Sequence, residues 1–221
     1  MISGQSVSVV IPCHNEAEGL KHLLPNIPKS VDEIIVVDNN STDGTAEIAK
    51  QYGAKVVSET KPGYGHAYQA GLPAATKDII VTMDGDGQYP TAAIELLVSA
   101  LITKNLDFIS ASRFPMPPGI MTPTRLLGNF LLTTAAQILF GLPVKDTQSG
   151  MWIFWRRHLS TINAHEGSMA FSEEIKMKAI LAKLKFGEEH ISYLPRVGAS
   201  KLLPLKDGWE NLAYLFKLRF K

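Results

Sequence analysis

The chain alternates short apolar runs with longer segments in which apolar residues recur at helical spacing. The short runs are rich in Val and Ile and end at turn-forming residues, which is the pattern of buried strands. Helical segments are predicted at 42–52, with Ser41 as N-cap, at 66–75 and at 90–103. Strands that alternate with helices form mainly parallel sheets, so the pattern predicts an α/β fold. The predicted strands of this half are 7–11, 33–38, 55–58, 78–83 and 108–111.

The second half of the chain is less regular. Segment 114–119 holds three prolines and a glycine and is expected to be a loop, because proline lacks the backbone N–H and fixes φ. No linker divides the chain, so we expect one domain over residues 1–221. The elements predicted for this half are helices at 126–142, 171–184 and 207–221, and strands at 151–155 and 190–194.

Composition fits an ordinary globular protein. Of the 221 residues, 45% are hydrophobic and 19% are charged, and the net charge is +1, so nucleic acid is not a predicted partner. The only cysteine, Cys13, cannot form an internal disulfide, which fits a reducing compartment. We see neither a basic and apolar leader nor a run of about 18 apolar residues. These features favour a cytoplasmic protein.

Polar clusters directly follow three of the predicted strands, at 12–18, 38–43 and 84–88. The carboxyl ends of parallel strands meet at one edge of the sheet, where open α/β sheets bind their ligands. The sequence therefore predicts a binding site at this edge.

The cluster at 84–88 contains two aspartates and a glutamine at alternate positions. If the chain stays extended past Met83, the side chains of Asp84, Asp86 and Gln88 point the same way. Two carboxylates held together repel unless a cation lies between them, and an all-oxygen ligand set suits Mg²⁺ or Mn²⁺. A simple loop is the alternative, because two successive Asp-Gly pairs are a strong turn signal.

A divalent cation at this edge suits a nucleotide diphosphate sugar, because it stabilises the charge that cleavage leaves on the diphosphate. Lys61 and Gly65 flank a Pro-Gly-Tyr sequence that opens a predicted helix, where N–H groups attract phosphate; plain turn geometry is the alternative. Asp38 is positioned to bind base or ribose, or to form an Asx-turn. Glu16 is positioned to bind ribose, or to sit in the first turn of a helix.

Several segments together resemble the motifs of family 2 glycosyltransferases, which have the GT-A fold. In the second motif, Asn39 and Asn40 stand where Asp and Gly are more usual. Residues 196–201 are similar to the Arg-x-Gly-x-Ser-Lys segment of polyprenyl-phosphate glycosyltransferases, the group that includes dolichol-phosphate mannose synthase. The resemblance covers about residues 7–210. The matching segments are 9–16, 36–45, 84–88, 112–114, 146–151 and 196–201.

The resemblance implies inverting transfer of a sugar from GDP or UDP to a polyprenyl or dolichyl phosphate. It also implies that Asp84, Asp86 and Gln88 bind Mg²⁺ or Mn²⁺, and the intact Asp-x-Asp speaks against an inactive nucleotide-sugar-binding subunit. The family resemblance, together with the predicted phosphate-binding loop at 61–65, predicts a set of donor-binding residues. The predicted donor-binding residues are Pro12, Asn15, Glu16, Asp38, Asn39, Lys61, Gly65, Asp84 and Gly85.

The acceptor decides which catalytic groups are needed. A lipid phosphate is already anionic near neutral pH, since its second pKa is about 6, and needs cations to hold it. A saccharide hydroxyl, the alternative acceptor, needs a general base. Asp86, Asp146 and Arg113 are the predicted catalytic residues, and Glu173 and Glu174 are further carboxylates. The predicted acceptor-binding residues are Arg113, Arg125, Ser149, Arg196, Ser200 and Lys201.

A lipid acceptor requires contact with a membrane. Segment 204–221 carries aromatic residues on one helical stripe and basic residues nearby, which suits a membrane interface; a docking helix is the alternative. Helix 126–142 is a second candidate. We therefore expect a peripheral protein on the cytoplasmic face of a membrane, alone or with a membrane-protein partner.

Overall fold

The computed structural model describes residues 1–141, 144–198 and 204–220 and contains a seven-stranded sheet in the order β3-β2-β1-β4-β6-β5-β7. The strands are β1 (Val7–Cys13), β2 (Glu33–Asp38), β3 (Lys55–Ser58), β4 (Ile79–Thr82), β5 (Phe108–Ser112), β6 (Trp152–Trp155) and β7 (Phe186–His190). The helices are α1 (Ala17–Leu23), α2 (Thr45–Gln51), α3 (Tyr64–Gly71), α4 (Ala93–Thr103), α5 (Pro123–Phe140), α6 (Leu159–Ile162), α7 (Phe171–Leu181) and α8 (Pro204–Arg219).

The sheet confirms the predicted α/β class. Strand β1 pairs in parallel with β2 and β4, and β2 pairs in parallel with β3. Strand β6 is the exception, since it runs antiparallel to both β4 and β5. In the β1–β2 register Cys13 pairs with Asp38, so the loops after these two strands leave the sheet at the same level. The three predicted polar clusters therefore share one edge.

The core lies on both faces of the central strands. Every residue of β1, β4 and β5 is buried, which explains their continuous apolar sequences. On one face the ring of Tyr68 packs against the rings of Trp152 and Phe171, with centroid distances of 5.0 and 5.5 Å. Aromatic side chains bury large areas, so this cluster fixes α3 and α7 against the sheet beneath the polar edge.

Two sequence predictions of local structure are wrong. The strand predicted at 190–194 is Phe186–His190 in the structure. This strand is only partly buried, so its sequence shows a weak apolar pattern and was not recognised as a strand. Helix α2 begins at Thr45, and Ser41 does not cap it. Instead the Ser41 hydroxyl accepts a hydrogen bond from Asn15 N at 2.9 Å, which ties together the loops after β1 and β2.

Within the described residues, no helix is both long enough and apolar enough to cross a bilayer.

Candidate active site

A cavity of about 450 Å³ lies at the predicted edge, above the carboxyl ends of β1 and β4. It brings together predicted residues from widely separated parts of the sequence. The predicted residues that line it are Pro12, Glu16, Asn39, Asp84, Gly85, Asp86, Gln88, Arg113, Arg125 and Arg196.

The two aspartates reach the cavity by a turn. Strand β4 ends at Thr82, and Gly87 has a φ of +75°, so the chain does not stay extended past Met83 as predicted. The Asp86 carboxylate accepts a hydrogen bond from Gln88 N at 3.0 Å inside this turn. The turn alternative is therefore confirmed, and the turn directs the two carboxylates into one cavity. Binding of a cation there stays a prediction.

The acidic pair is costly to ionise in full. Burial, together with the charge of Asp86, raises the pKa of Asp84 to about 7, although the Tyr64 hydroxyl donates to Asp84 Oδ1 at 3.0 Å. Burial also raises the pKa of Asp86. Such shifts mean that ionising both groups is unfavourable without an added cation.

Arg196 supplies part of the missing positive charge. Its guanidinium donates to both Asp86 and Glu16. Its segment pairs with the acidic turn, because Leu194 N donates to Gln88 O and Val197 N donates to Asp86 O, each at 2.9 Å. Arg196 thus lies on the acidic side of the cavity, and its predicted binding of acceptor stays a prediction.

The donor set fits a divalent cation that is shared with a ligand. Among the described residues, no group of three or more His, Cys, Asp or Glu side chains could hold a metal. Asp84 and Asp86 provide carboxylate oxygens, and Gln88 lines the same cavity. Mg²⁺ is typically bound by one or two carboxylates together with phosphate oxygens, so these residues suit Mg²⁺ or Mn²⁺ bound with a diphosphate.

The structure does not place Asp146 as a catalytic base. It is fully buried and accepts hydrogen bonds from Arg113 Nε and Nη2, each at 2.8 Å, and from Arg113 N at 3.0 Å. Burial opposes its ionisation, but the Arg113 guanidinium holds the pKa of Asp146 below its usual value. Arg113 reaches the cavity while Asp146 lies behind it, so Asp146 fixes the orientation of the arginine.

Glu173 and Glu174 are also outside the cavity lining. Burial raises the pKa of Glu173 to about 8, and its carboxyl accepts from Gln148 Nε2. Glu174 accepts from His165 N at 2.9 Å and from Glu166 N. Both carboxylates support loops next to the site.

Other predicted donor residues shape the loops rather than the cavity wall. Asp38 accepts from Ser41 N at 3.1 Å, as expected of the Asx-turn alternative. The Asn15 side chain accepts from Thr42 N at 2.7 Å. Lys61 is exposed and does not line the cavity.

Gly65 has a packing role. Its N–H, which was expected to face phosphate, donates to Gly167 O at 3.0 Å, and a Cβ at this position would collide with the Glu166 carbonyl oxygen. Ser149 is fully buried and is absent from the lining. Ser200 and Lys201 lie outside the described residues.

Sequence reasoning missed side chains that come from distant elements. Asp207 and Glu210 of α8 line the cavity, and Asn211 of the same helix donates to Gln148 Oε1 at 2.8 Å. Asp207, Glu210 and Asn211 are spaced by three and four residues, so they lie on one face of the helix. This spacing could have indicated a polar helix face that contributes to the site. The other lining residues that were not assigned to the site are Cys13, His14, Pro62, Gly63, Tyr64, Ala67, Tyr89, Gln148, Ser168, Met169, Ser172 and Tyr193.

Comparison with known proteins identifies the family. The family model described as glycosyl transferase family 2 matches residues 8–162. The chain belongs to glycosyltransferase family 2. It is 35% identical over 222 residues to an uncharacterised glycosyltransferase of Mycobacterium tuberculosis, which covers 96% of this chain and 100% of the relative.

Two archaeal relatives carry functional names. A dolichyl-phosphate hexose transferase of Haloferax volcanii is 30% identical over 205 residues, covering 91% of this chain and 89% of the relative. A UDP-N-acetylglucosamine–dolichyl-phosphate N-acetylglucosaminyltransferase of Methanococcus voltae is 29% identical over 181 residues, covering 71% and 72%.

A solved structure shows the same fold. Glucosyl-3-phosphoglycerate synthase from Mycobacterium tuberculosis, in complex with Mn²⁺, UDP and glucosyl-3-phosphoglycerate, superposes with a TM-score of 0.79. The match covers 98% of this chain and 80% of that one at 23% identity. The GT-A fold is therefore confirmed.

Replacing Asp146 tests the buried ion pair. Asp146→Asn should lower the free energy of unfolding by about 3–5 kcal/mol, because it leaves the Arg113 charge buried without a counter-charge. The pKa of Asp146 is lowered by folding, so the stabilisation is present above about pH 4 and is lost as pH falls through the folded-state pKa. Urea denaturation at several pH values measures this.

Glu189→Gln is the matched control, because Glu189 forms an exposed ion pair with Lys104. Its cost should be about 0–1 kcal/mol. Equal losses in the two variants would contradict the special role of the buried pair.

Proposed function

We propose that this family 2 glycosyltransferase transfers a sugar, with inversion, from a UDP or GDP sugar to a polyprenyl or dolichyl phosphate. One observation carries the proposal. A second cavity, of about 160 Å³, shares Arg113 and Arg125 with the first and is lined beyond them by Ile120, Met121 and Leu132. Cations beside an apolar wall match a phosphate joined to a hydrocarbon chain. The names of the archaeal relatives support the same acceptor class.

The donor is proposed to lie between the loop after β1 and the acidic turn. Pro12, Glu16 and Asn39 line this side of the cavity. A divalent cation held by Asp84 and Asp86, with Gln88 nearby, would supply Lewis acidity toward the diphosphate leaving group.

The acceptor phosphate is proposed to bind Arg113 and Arg125. Asp146 holds the Arg113 guanidinium in one orientation, and the ring of Tyr193 lies 5.4 Å from it. A guanidinium fixed in this way donates to an anion with little loss of conformational entropy. Because a phosphate monoester is already ionised, this arrangement needs no general base.

A hydroxyl acceptor remains the second candidate, and one observation favours it. Asp207 and Glu210 place carboxylates on the wall of the cavity next to Arg125. A carboxylate there can act as the general base that a saccharide hydroxyl needs. The same carboxylates would repel a bound phosphate, so their replacement separates the two functions.

The membrane is proposed to meet α5 and α8 on the cytoplasmic side. The face of α8 that carries Asn211 and Leu215 is buried against the rest of the protein. For this face, the observation supports a docking helix over a membrane interface. Its other face exposes aromatic side chains, and α5 exposes apolar ones beside it. The exposed residues are Leu126, Leu127, Phe130, Leu131 and Ile138 on α5, Trp209 and Phe216 on α8, and Phe220 directly after α8. Lys217 and Arg219 add positive charge near these aromatics, as expected for an anionic lipid surface.

Asp86→Asn is expected to abolish the extra thermal stabilisation that Mn²⁺ gives to the nucleotide-bound protein. A ligand present at about 100 times its Kd raises the free energy of unfolding by about 2.7 kcal/mol. The part of this stabilisation that depends on Mn²⁺ requires the Asp86 carboxylate. A thermal-shift titration of UDP and GDP with and without Mn²⁺ measures this share. Glu47→Gln makes the same chemical change on exposed α2 and should behave as wild type. An unchanged Mn²⁺ response in Asp86→Asn would place the metal elsewhere.

Labelled UDP and GDP sugars, offered with a synthetic prenyl phosphate or with free saccharides, test the acceptor. We expect label on the lipid phosphate, and a loss of about tenfold or more in kcat/KM for Arg125→Gln, because an ionic hydrogen bond is worth about 1.5–3 kcal/mol. Asp207→Asn and Glu210→Gln should each stay within about threefold of wild type. Transfer only to a saccharide, with a loss of about 10²-fold in either carboxylate variant, would favour the hydroxyl function instead.

Sedimentation with anionic vesicles tests the membrane face. The triple change Trp209→Ser, Phe216→Ser and Phe220→Ser should weaken binding at least about tenfold, because burial of each side chain is worth about 1.5–3 kcal/mol. Leu96→Ser, at an equally exposed position on α4, should have no effect. A similar loss in both proteins, or no binding by wild type, would reject this face as the membrane contact.

A further inference from the structure

One buried amide joins the loops that flank the nucleotide side of the cavity. Asn39 is only 6% exposed. Its Nδ2 group donates to Glu59 O at 2.9 Å and to Lys61 O at 2.8 Å, while its Oδ1 accepts from Gly63 N at 2.8 Å. Both N–H groups are used, and the two carbonyl partners fix which way the amide faces.

The backbone of Asn39 binds the loop on the other side. Its N–H donates to Cys13 O at 2.8 Å, and its carbonyl accepts from His14 Nδ1 at 2.8 Å. His14 and Asn39 both line the cavity. One residue therefore connects the loop after β1 with the segment 59–63.

The clamped segment leads directly to the acidic pair. Gly63 immediately precedes Tyr64, and both line the cavity. The Tyr64 hydroxyl donates to Asp84 Oδ1 at 3.0 Å. Gly63 packs closely against the loop before α7, because a Cβ there would collide with the Gly167 carbonyl oxygen. A displacement of 59–63 would therefore move the cavity wall and the hydrogen bond to Asp84 together.

We propose that Asn39 is a positioning residue, whose side-chain amide holds segment 59–63 as a wall of the donor site and thereby aims Tyr64 at Asp84. The inference rests on the proposed function in so far as this cavity binds the nucleotide. It requires an amide and not a carboxylate, because the position facing the Glu59 and Lys61 carbonyls must be a donor. An aspartate would place an acceptor against two acceptors, which costs the hydrogen bonds and adds repulsion.

Asn39→Asp and Asn40→Asp form a matched pair. Asn40 is the next residue, is exposed, and undergoes the same change from amide to carboxylate. In Asn39→Asp, hydrogen–deuterium exchange of the peptide 59–66 should rise, and the Kd for UDP or GDP with Mn²⁺ should rise about tenfold by calorimetry. In transfer assays the loss should appear in the donor KM, with kcat within about threefold. Asn40→Asp should stay within about twofold of wild type throughout.

Tyr64→Phe tests the hydrogen bond from the Tyr64 hydroxyl to Asp84, which is the last step of the proposed connection from Asn39. It should leave the exchange of 59–66 unchanged and weaken nucleotide binding only when Mn²⁺ is present. If Asn39→Asp does not fold, Asn39→Ser and Asn40→Ser give the same comparison without added charge.

The outcomes distinguish a failure of the positioning role of Asn39 from a failure of the proposed function. Wild-type exchange and nucleotide affinity in Asn39→Asp, or equal effects in the two aspartate variants, would overturn the positioning role. Failure of the wild-type protein to bind either nucleotide would reject the proposed function, while the exchange comparison would still decide whether Asn39 holds the segment.

Discussion

Burying two carboxylates that are separated by a single residue along the chain is unfavourable, because each loses hydration and each repels the other. The turn after β4 places Asp84 and Asp86 in this situation. The surrounding groups reduce the cost without removing it, since Tyr64 donates to one aspartate and Arg196 pairs with the other. The remaining deficit of positive charge is what the proposed cation, bound with a diphosphate, would supply at this edge of the sheet.

Arg113, which lines the same cavity, presents the reverse problem. Arg113 is a buried cation, and its bidentate pairing with Asp146 keeps it charged and fixes its direction. The cavity is therefore lined by an acidic pair, which is proposed to bind a cation with a diphosphate, and by arginines, which are proposed to bind an anionic acceptor.

Helix α8 links the cavity to the outer surface of the protein. Asn211 holds the helix to Gln148, and Leu215 packs with Ala136 and Met177 against α5 and α7. The same helix places Asp207 and Glu210 on the cavity wall and exposes Trp209 and Phe216. An acceptor that reaches the cavity from a membrane would therefore pass residues of one helix.

The amino-acid sequence by itself determined the α/β class, the edge of the sheet at which the cavity lies, and the presence of the acidic pair in its lining. These features depend on local patterns, namely the buried β-branched runs of β1, β2 and β4 and the polar residues that follow them. The family that the sequence motifs predicted was confirmed by the family-model match over residues 8–162. Tertiary structure alone decided that Asp146 serves Arg113, that the Gly65 amide is already bonded, and that α8 completes the cavity. Each of these depends on a partner between about 30 and 100 residues away along the chain, so no local pattern records it. Burial and long-range pairing, which appear only when the chain has folded, assign such side chains their roles.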